Sequence, residues 1–170
     1  EVTQAYLDRI DSHNGALGAF ITVTADQAIA AAREAEKEIF DGRSKSPLHG
    51  VPMAIKDQFW TEAVRTTGGS RLLSDFIPNQ NSTLVKKLNT AGVVSLGKLN
   101  MAEFALGGTR NYPYGQPRNP WDLDRNPGMS SAGSGIAVSA SLATATIGED
   151  TGGSVRLPAA MSGVAGLRPT

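Results

Sequence analysis

Gly50-Val51-Pro52-Met53-Ala54-Ile55-Lys56-Asp57 carries five apolar residues in a row and closes on a Lys–Asp pair. An unbroken apolar run of this length reads as a strand over 51–56, buried on both faces. A strand hidden on both faces needs cover, and the flanking sequence supplies helices. Upstream, Tyr6, Leu7 and Ile10 share one face of a helix predicted over 3–13, with Thr3 as its N-cap. A short strand is predicted over 19–23. Thr24 and Gln27 form a capping-box pattern at the head of an Ala-rich helix reaching Phe40, with Gly42 as its C-terminal cap. Downstream, the pattern predicts a helix over 82–90, a strand over 93–96 and a short helix over 99–106. A Pro-containing loop over 111–128 follows, then a small-residue helix over 134–142 and a strand over 143–148. A Gly-rich loop over 149–158 and a last short strand over 164–167 complete the reading. Strands and helices interleave, so the fold class is a layered α/β architecture.

Composition narrows the chemistry. The 170 residues suit one domain or a piece of a larger one. A hydrophobic fraction of 40% is enough for a packed core. Sixteen basic and sixteen acidic side chains leave no net charge, which argues against nucleic acid or an anionic membrane as the main partner. No apolar run approaches the roughly 18 residues of a membrane span. With no Cys, disulfides, thiolate catalysis and Cys-based metal sites are excluded. The two histidines, His13 and His49, have no partner at ligand spacing, so no metal is expected. The chain starts at Glu1 and stops at Leu167-Arg168-Pro169-Thr170, which reads as part of a longer protein. The lack of Cys and of a visible signal is compatible with a cytoplasmic location.

Gly92-Val93-Val94-Ser95-Leu96-Gly97-Lys98-Leu99 nearly matches a phosphate-binding loop, but Leu99 stands where a hydroxyl would meet Mg²⁺. Its strand also lies between the two glycines, so the stretch reads as turn-strand-turn, with Lys98 on the surface or pairing locally. No Ser has Gly two places before and two places after it, so the α/β-hydrolase elbow is absent.

Two Ser/Gly segments remain. Pro127-Gly128-Met129-Ser130-Ser131-Ala132-Gly133-Ser134-Gly135 leads from a loop into a helix, and Asp150-Thr151-Gly152-Gly153-Ser154-Val155-Arg156 follows a strand. In the second, successive N–H groups of Thr151, Gly152, Gly153 and Ser154 are able to converge on one point. That is what an oxyanion hole requires, with donors about 3 Å from the developing charge. An anion-binding turn or a plain loop fits the same residues. A nucleophilic Ser needs a base, and with His scarce a Lys is the remaining choice. Lys56 fits best, because it ends the buried strand and a neighbouring Asp57 would point to the opposite face. A free Lys has a pKa of about 10.4, so desolvation must lower it before it serves as a base. A buried Lys–carboxylate pair fits Lys56 equally well.

At these residues the chain resembles the amidase signature family. The likeness is an ordered series: 50–57, Thr66-Thr67-Gly68-Gly69-Ser70, Gly97-Lys98-Leu99-Asn100-Met101-Ala102-Glu103-Phe104-Ala105, Asn119-Pro120-Trp121-Asp122, then 127–135, 150–156 and 163–170. It covers the chain almost throughout. It implies a mixed β-sheet flanked by helices in an α/β/α sandwich, with 1–170 as the N-terminal part of a single domain whose C-terminal half lies outside this sequence. It also implies a Ser–cisSer–Lys triad: Ser154 as nucleophile, Ser130 as bridging serine after a cis peptide, and Lys56 as base. Ser131, Asp150 and Arg156 are implied as structural support. The family commonly has Gly at the places held here by Met129 and Ala132, which bears on local pocket shape and not on the chemistry. Residues 105–109 and Met129 are candidates for the pocket wall.

The implied activity is hydrolysis of a small-molecule carboxylic amide to an acid and ammonia or an amine, through an acyl-enzyme. No metal and no organic cofactor is implied. One alternative is the amidase subunit of a glutamine-dependent amidotransferase, which passes ammonia to a partner. A second, of another class, is a non-catalytic anion- or nucleotide-binding module. A homo-oligomer or the missing C-terminal segment is a possible partner. A protein ending at Thr170 is expected to leave an apolar edge open and to be unstable or inactive.

Overall fold

The computed structural model describes residues 1–106 and 112–169. Helix α1 (Val2–Leu17) leads into strand β1 (Phe20–Val23), and helix α2 (Ala25–Phe40) into strand β2 (Pro52–Lys56). Helix α3 (Thr83–Thr90) and strand β3 (Val94–Leu99) follow. Further along the chain come helix α4 (Ala132–Ser139), strand β4 (Ala145–Ile147) and helix α5 (Arg156–Ser162). Among the described residues the sheet has four strands in the order β1-β3-β2-β4. It is mixed: β2 runs parallel to both β3 and β4, while β1 is antiparallel to β3. The expected α/β class with a mixed sheet and packed helices is what forms.

Every residue of β2 is buried, as its apolar run predicts. Leu7, Ile10 and Leu17 from α1 meet Ala54 of β2, Leu96 and Leu99 of β3, and Ile136 of α4 in one core. Helix α4 presses closely onto the sheet because its residues are small. A Cβ on Gly133 would come within 2.3 Å of the Ala19 carbonyl oxygen and 2.6 Å of the Asn100 nitrogen.

Several boundaries differ from the sequence reading, each for a tertiary reason. Helix α1 begins at Val2, so Thr3 lies inside it and is buried instead of capping. Thr24 does stand at the N-cap of α2, but its hydroxyl donates to the Ser95 carbonyl (3.2 Å), so no capping box forms. Strand β3 runs three residues past Leu96, because it pairs on both sides. Gly97 makes this possible with φ +145, where a Cβ would strike the Thr22 carbonyl. The helix expected over 99–106 is reduced to one 3₁₀ turn, Glu103–Ala105. Backbone groups there are taken by distant partners: the Asn100 N–H donates to Ala19 and the Ala102 N–H to Ser130. The Asn100 amide also bridges the Gly18 and Gly115 carbonyls.

No strand forms over 164–167, and α5 takes the last three residues of the expected 149–158 loop and runs on through Ser162. The Asp150 carboxylate accepts the N–H groups of Val155 and Arg156 at the head of α5. Pro158 is tolerated because the first turn of a helix has no internal use for its N–H groups.

Lys98 is also placed differently from the reading. It is fully buried in β3, not on the surface. Its ammonium donates to the Phe59 carbonyl (2.6 Å) and the Thr66 hydroxyl (2.7 Å), and lies 3.6 Å from the Asp57 carboxylate. Burial pushes Lys98 down to about 8 and pushes Asp57 up, against their mutual attraction. The other Asp57 oxygen accepts both the N–H and the hydroxyl of Thr67, which folds the 66–70 loop against the end of β2.

Two substitutions test this packing by urea denaturation of the full-length protein. Gly133→Ala is expected to lose roughly 1–3 kcal/mol through overpacking against backbone. Lys98→Met strands the buried Asp57 and is expected to lose about 3–5 kcal/mol, part of it regained in the Asp57→Asn, Lys98→Met double variant.

Candidate active site

Strand β2, parallel to both of its neighbours, sends Lys56, its last residue, to one end of the fold with no solvent exposure. Strand alternation turns its side chain away from Asp57, which is engaged with Thr67 and Lys98. The Lys56 ammonium instead donates to the Ser130 hydroxyl at 2.8 Å. Ser130 is buried and follows a cis peptide from Met129. Its carbonyl accepts the Ala102 N–H at 3.0 Å, so the segment after β3 holds it from behind.

Ser154 lies on the loop between β4 and α5 and is half-buried. That loop docks on the first Ser/Gly segment, where the Ser131 N–H donates to the Ser154 carbonyl (3.2 Å) and the Ser131 hydroxyl to the Glu149 carbonyl (3.3 Å). The structure thus joins Lys56 to Ser130 directly and brings Ser154 to them through backbone contacts. The Ser154 and Ser130 hydroxyls are not hydrogen-bonded to each other.

Asp150 organises the loop. Its carboxylate accepts the N–H of Gly153 (2.7 Å) and forms a two-pronged pair with the Arg156 guanidinium, both contacts at 3.0 Å. The Arg156 contact, with the added N–H donors, holds the Asp150 carboxyl well below the usual carboxylate range. Arg168 donates to the Asp150 carbonyl at 3.0 Å. Of the four N–H groups proposed from sequence, that of Gly153 is therefore spent on Asp150. Those of Thr151, Gly152 and Ser154 make no hydrogen bond among the described residues. A Cβ placed on Gly152 would meet nothing within 4 Å, so the loop faces open space.

One residue escaped the sequence reading. Glu149 places a carboxylate oxygen 3.4 Å from the Lys56 ammonium. Lys56 therefore does have an acidic neighbour, but not the adjacent Asp57. Burial lowers the pKa of Lys56, and Glu149 pulls it back up. The hydrogen bond from Thr151 holds the Glu149 carboxyl below its ordinary value. The only signal in the sequence is its place just ahead of the Asp-Thr-Gly-Gly-Ser run.

Glu149 also lines a cavity of about 320 Å³ with Gln58, Trp60, Gly68, Phe104 and Ala105. Of the proposed wall residues 105–109, Ala105 is on this cavity, and 107–109 lie outside the described residues. Among the described residues no cluster of three or more His, Asp or Glu is placed to hold a metal ion. No helix among them is long and apolar enough to cross a membrane.

The chain has counterparts in sequence and fold. A family model described as Amidase matches residues 1–170. A glutamyl-tRNA(Gln) amidotransferase subunit from Acidothermus cellulolyticus is 50% identical over all of this chain, which spans 34% of that protein. The namesake from Anaeromyxobacter sp. (strain K) is also 50% identical, with 35% of its length covered. The chain thus spans about a third of the length of these relatives. Among solved structures, native peptide amidase from Stenotrophomonas maltophilia superposes with a TM-score of 0.94 at 40% identity, over 99% of this chain and 36% of that one. The corresponding glutamyl-tRNA(Gln) amidotransferase subunit from Thermotoga maritima superposes at 0.83 with 39% identity, over 99% of this chain and 35% of that one. A match of the family model along the full chain, on a fold shared at this level of identity, places the chain in the amidase family.

Proposed function

We propose that this chain carries the catalytic residues of an amidase, which hydrolyses a carboxylic amide to an acid and ammonia or an amine through an acyl-enzyme. The observation that carries the reading is the fully buried Lys56 amine, 2.8 Å from the buried Ser130 hydroxyl, beneath the loop that bears Ser154. Neutral Lys56 accepts the Ser130 proton while Ser130 accepts that of Ser154. The Ser154 oxygen forms a bond to the amide carbon, and the carbonyl electrons move onto oxygen. The N–H groups of Thr151, Gly152 and Ser154 face that charge, a role in which one lost donor costs about 3–4 kcal/mol of barrier. The C–N bond then breaks and the relayed proton leaves on nitrogen. Water repeats the sequence on the acyl-enzyme, releasing the acid and restoring the Ser154 hydroxyl. The contact between the two serine hydroxyls belongs to the substrate-bound state, in which catalytic hydrogen bonds tighten.

In this reading residues 1–170 form the N-terminal part of one amidase domain, and the remainder of the domain supplies most of the acyl pocket. Asp150, Arg156 and Ser131 hold the Ser154 loop in shape.

A second reading is supported by the relatives at 50% identity, which are named as subunits of glutamyl-tRNA(Gln) amidotransferase. Here the amide is glutamine and the ammonia passes to a partner protein.

A fluorophosphonate probe is expected to label full-length protein at Ser154. Ser154→Ala should abolish labelling, and Lys56→Ala should slow it by roughly 10²–10⁴-fold, the range of a general base. Labelling that survives Ser154→Ala would overturn the assignment. Glutamine turnover that appears only when a partner protein is added would select the amidotransferase reading; turnover of simple amides by the protein alone would select the hydrolase.

A further inference from the structure

The Lys56 ammonium has two side-chain partners, the Ser130 hydroxyl at 2.8 Å and the Glu149 carboxylate at 3.4 Å. Only the first has a place in the relay. Glu149 is fixed from two directions: its second carboxylate oxygen accepts the Thr151 hydroxyl, and its carbonyl accepts the Ser131 hydroxyl. The loops that carry Ser130 and Ser154 therefore both hold this carboxylate beside the amine. The other charged groups around Lys56 are committed elsewhere. Asp150 is paired with Arg156 and Arg168, and Asp57 lies on the opposite face with Lys98 from β3.

We propose that Glu149 is a positioning residue acting through Lys56: it keeps the amine directed at Ser130 and sets the lowest pH at which the relay runs. The inference rests on the reading of Lys56 as the base. Its physical content is a competition. Burial favours the neutral amine that accepts a proton, whereas a carboxylate at 3.4 Å favours the ammonium that cannot. Glu149 therefore restrains the base in acid. Removing its charge leaves burial opposed only by the weaker pull of Asp150, and the amine stays neutral to lower pH. An opposite charge at this range moves a pKa by about 1–3 units, and the pair, with a Glu149 side chain 29% exposed, belongs at the lower end.

The test is the rate of fluorophosphonate labelling of Ser154 against pH in the full-length protein, which needs no knowledge of the amide. The wild-type rate is expected to rise with pH and level off. In Glu149→Gln the acid limb should move down by about one pH unit, so that labelling well below the wild-type midpoint is about tenfold faster. A second neutral variant, Glu149→Ser, should show the same displacement, and circular dichroism identifies which variants are folded. An acid limb that stays in place in a folded variant overturns the proposal. Lys56→Ala separates the two levels of argument. If it labels as fast as wild type, the reading of Lys56 as base fails; if it is slow while the Glu149 variants keep the wild-type limb, only the role of Glu149 fails.

Discussion

An amine buried without solvent contact is the constraint around which this end of the fold is built. A buried charge is costly unless it is paired and hydrogen-bonded, and a neutral buried amine still needs its donors satisfied. Lys56 meets both needs with two neighbours brought from far along the chain, Ser130 and Glu149. Its position at the C-terminal end of a central parallel strand explains why they are available there. The loops that follow β3 and β4 open at that same end of the sheet.

The sheet holds a second buried cation one strand away, and the two are kept apart by strand alternation. Lys56 and Asp57 are adjacent in sequence but face opposite sides, so Asp57 serves Lys98 and Glu149 serves Lys56. The two pairs do different work. Lys98 also binds the Phe59 carbonyl and the Thr66 hydroxyl, so it fastens the chain after β2 and leaves no partner over for chemistry. Among the described residues the Lys56 ammonium hydrogen-bonds only to side chains of the two Ser/Gly-bearing regions, which is the arrangement a proton relay requires. Two lysines with similar burial thus differ in what their nitrogens contact.

Much of the architecture was legible in local pattern. The run ending at Lys56 announced a strand buried on both faces, and α2, α3 and β4 fall close to the segments that periodicity marks. The failures share one cause. Over 99–106 the residues favour a helix, but Asn100 and Ala102 spend their N–H groups on Ala19 and Ser130. Helix α5 was hidden because its first N–H groups are capped by Asp150, six residues before its start. Lys98 reads as exposed or locally paired because no local signal tells that the distant Asp57 and Thr66 enclose it.

By itself the sequence determined which residue types were available: no thiol, two histidines without a partner at metal-ligand spacing, a lysine closing an apolar strand, and two Ser/Gly segments. Those follow from composition and from periods of two to four residues, which are local properties. It also carried the ordered motifs that mark the family. Only the tertiary structure decided that Glu149, and not Asp57, stands beside Lys56, that Gly153 gives its N–H to Asp150, and that Lys98 is sealed inside the sheet. Each of these is a contact set by how strands register and loops dock, and a linear pattern does not encode distance across a sheet.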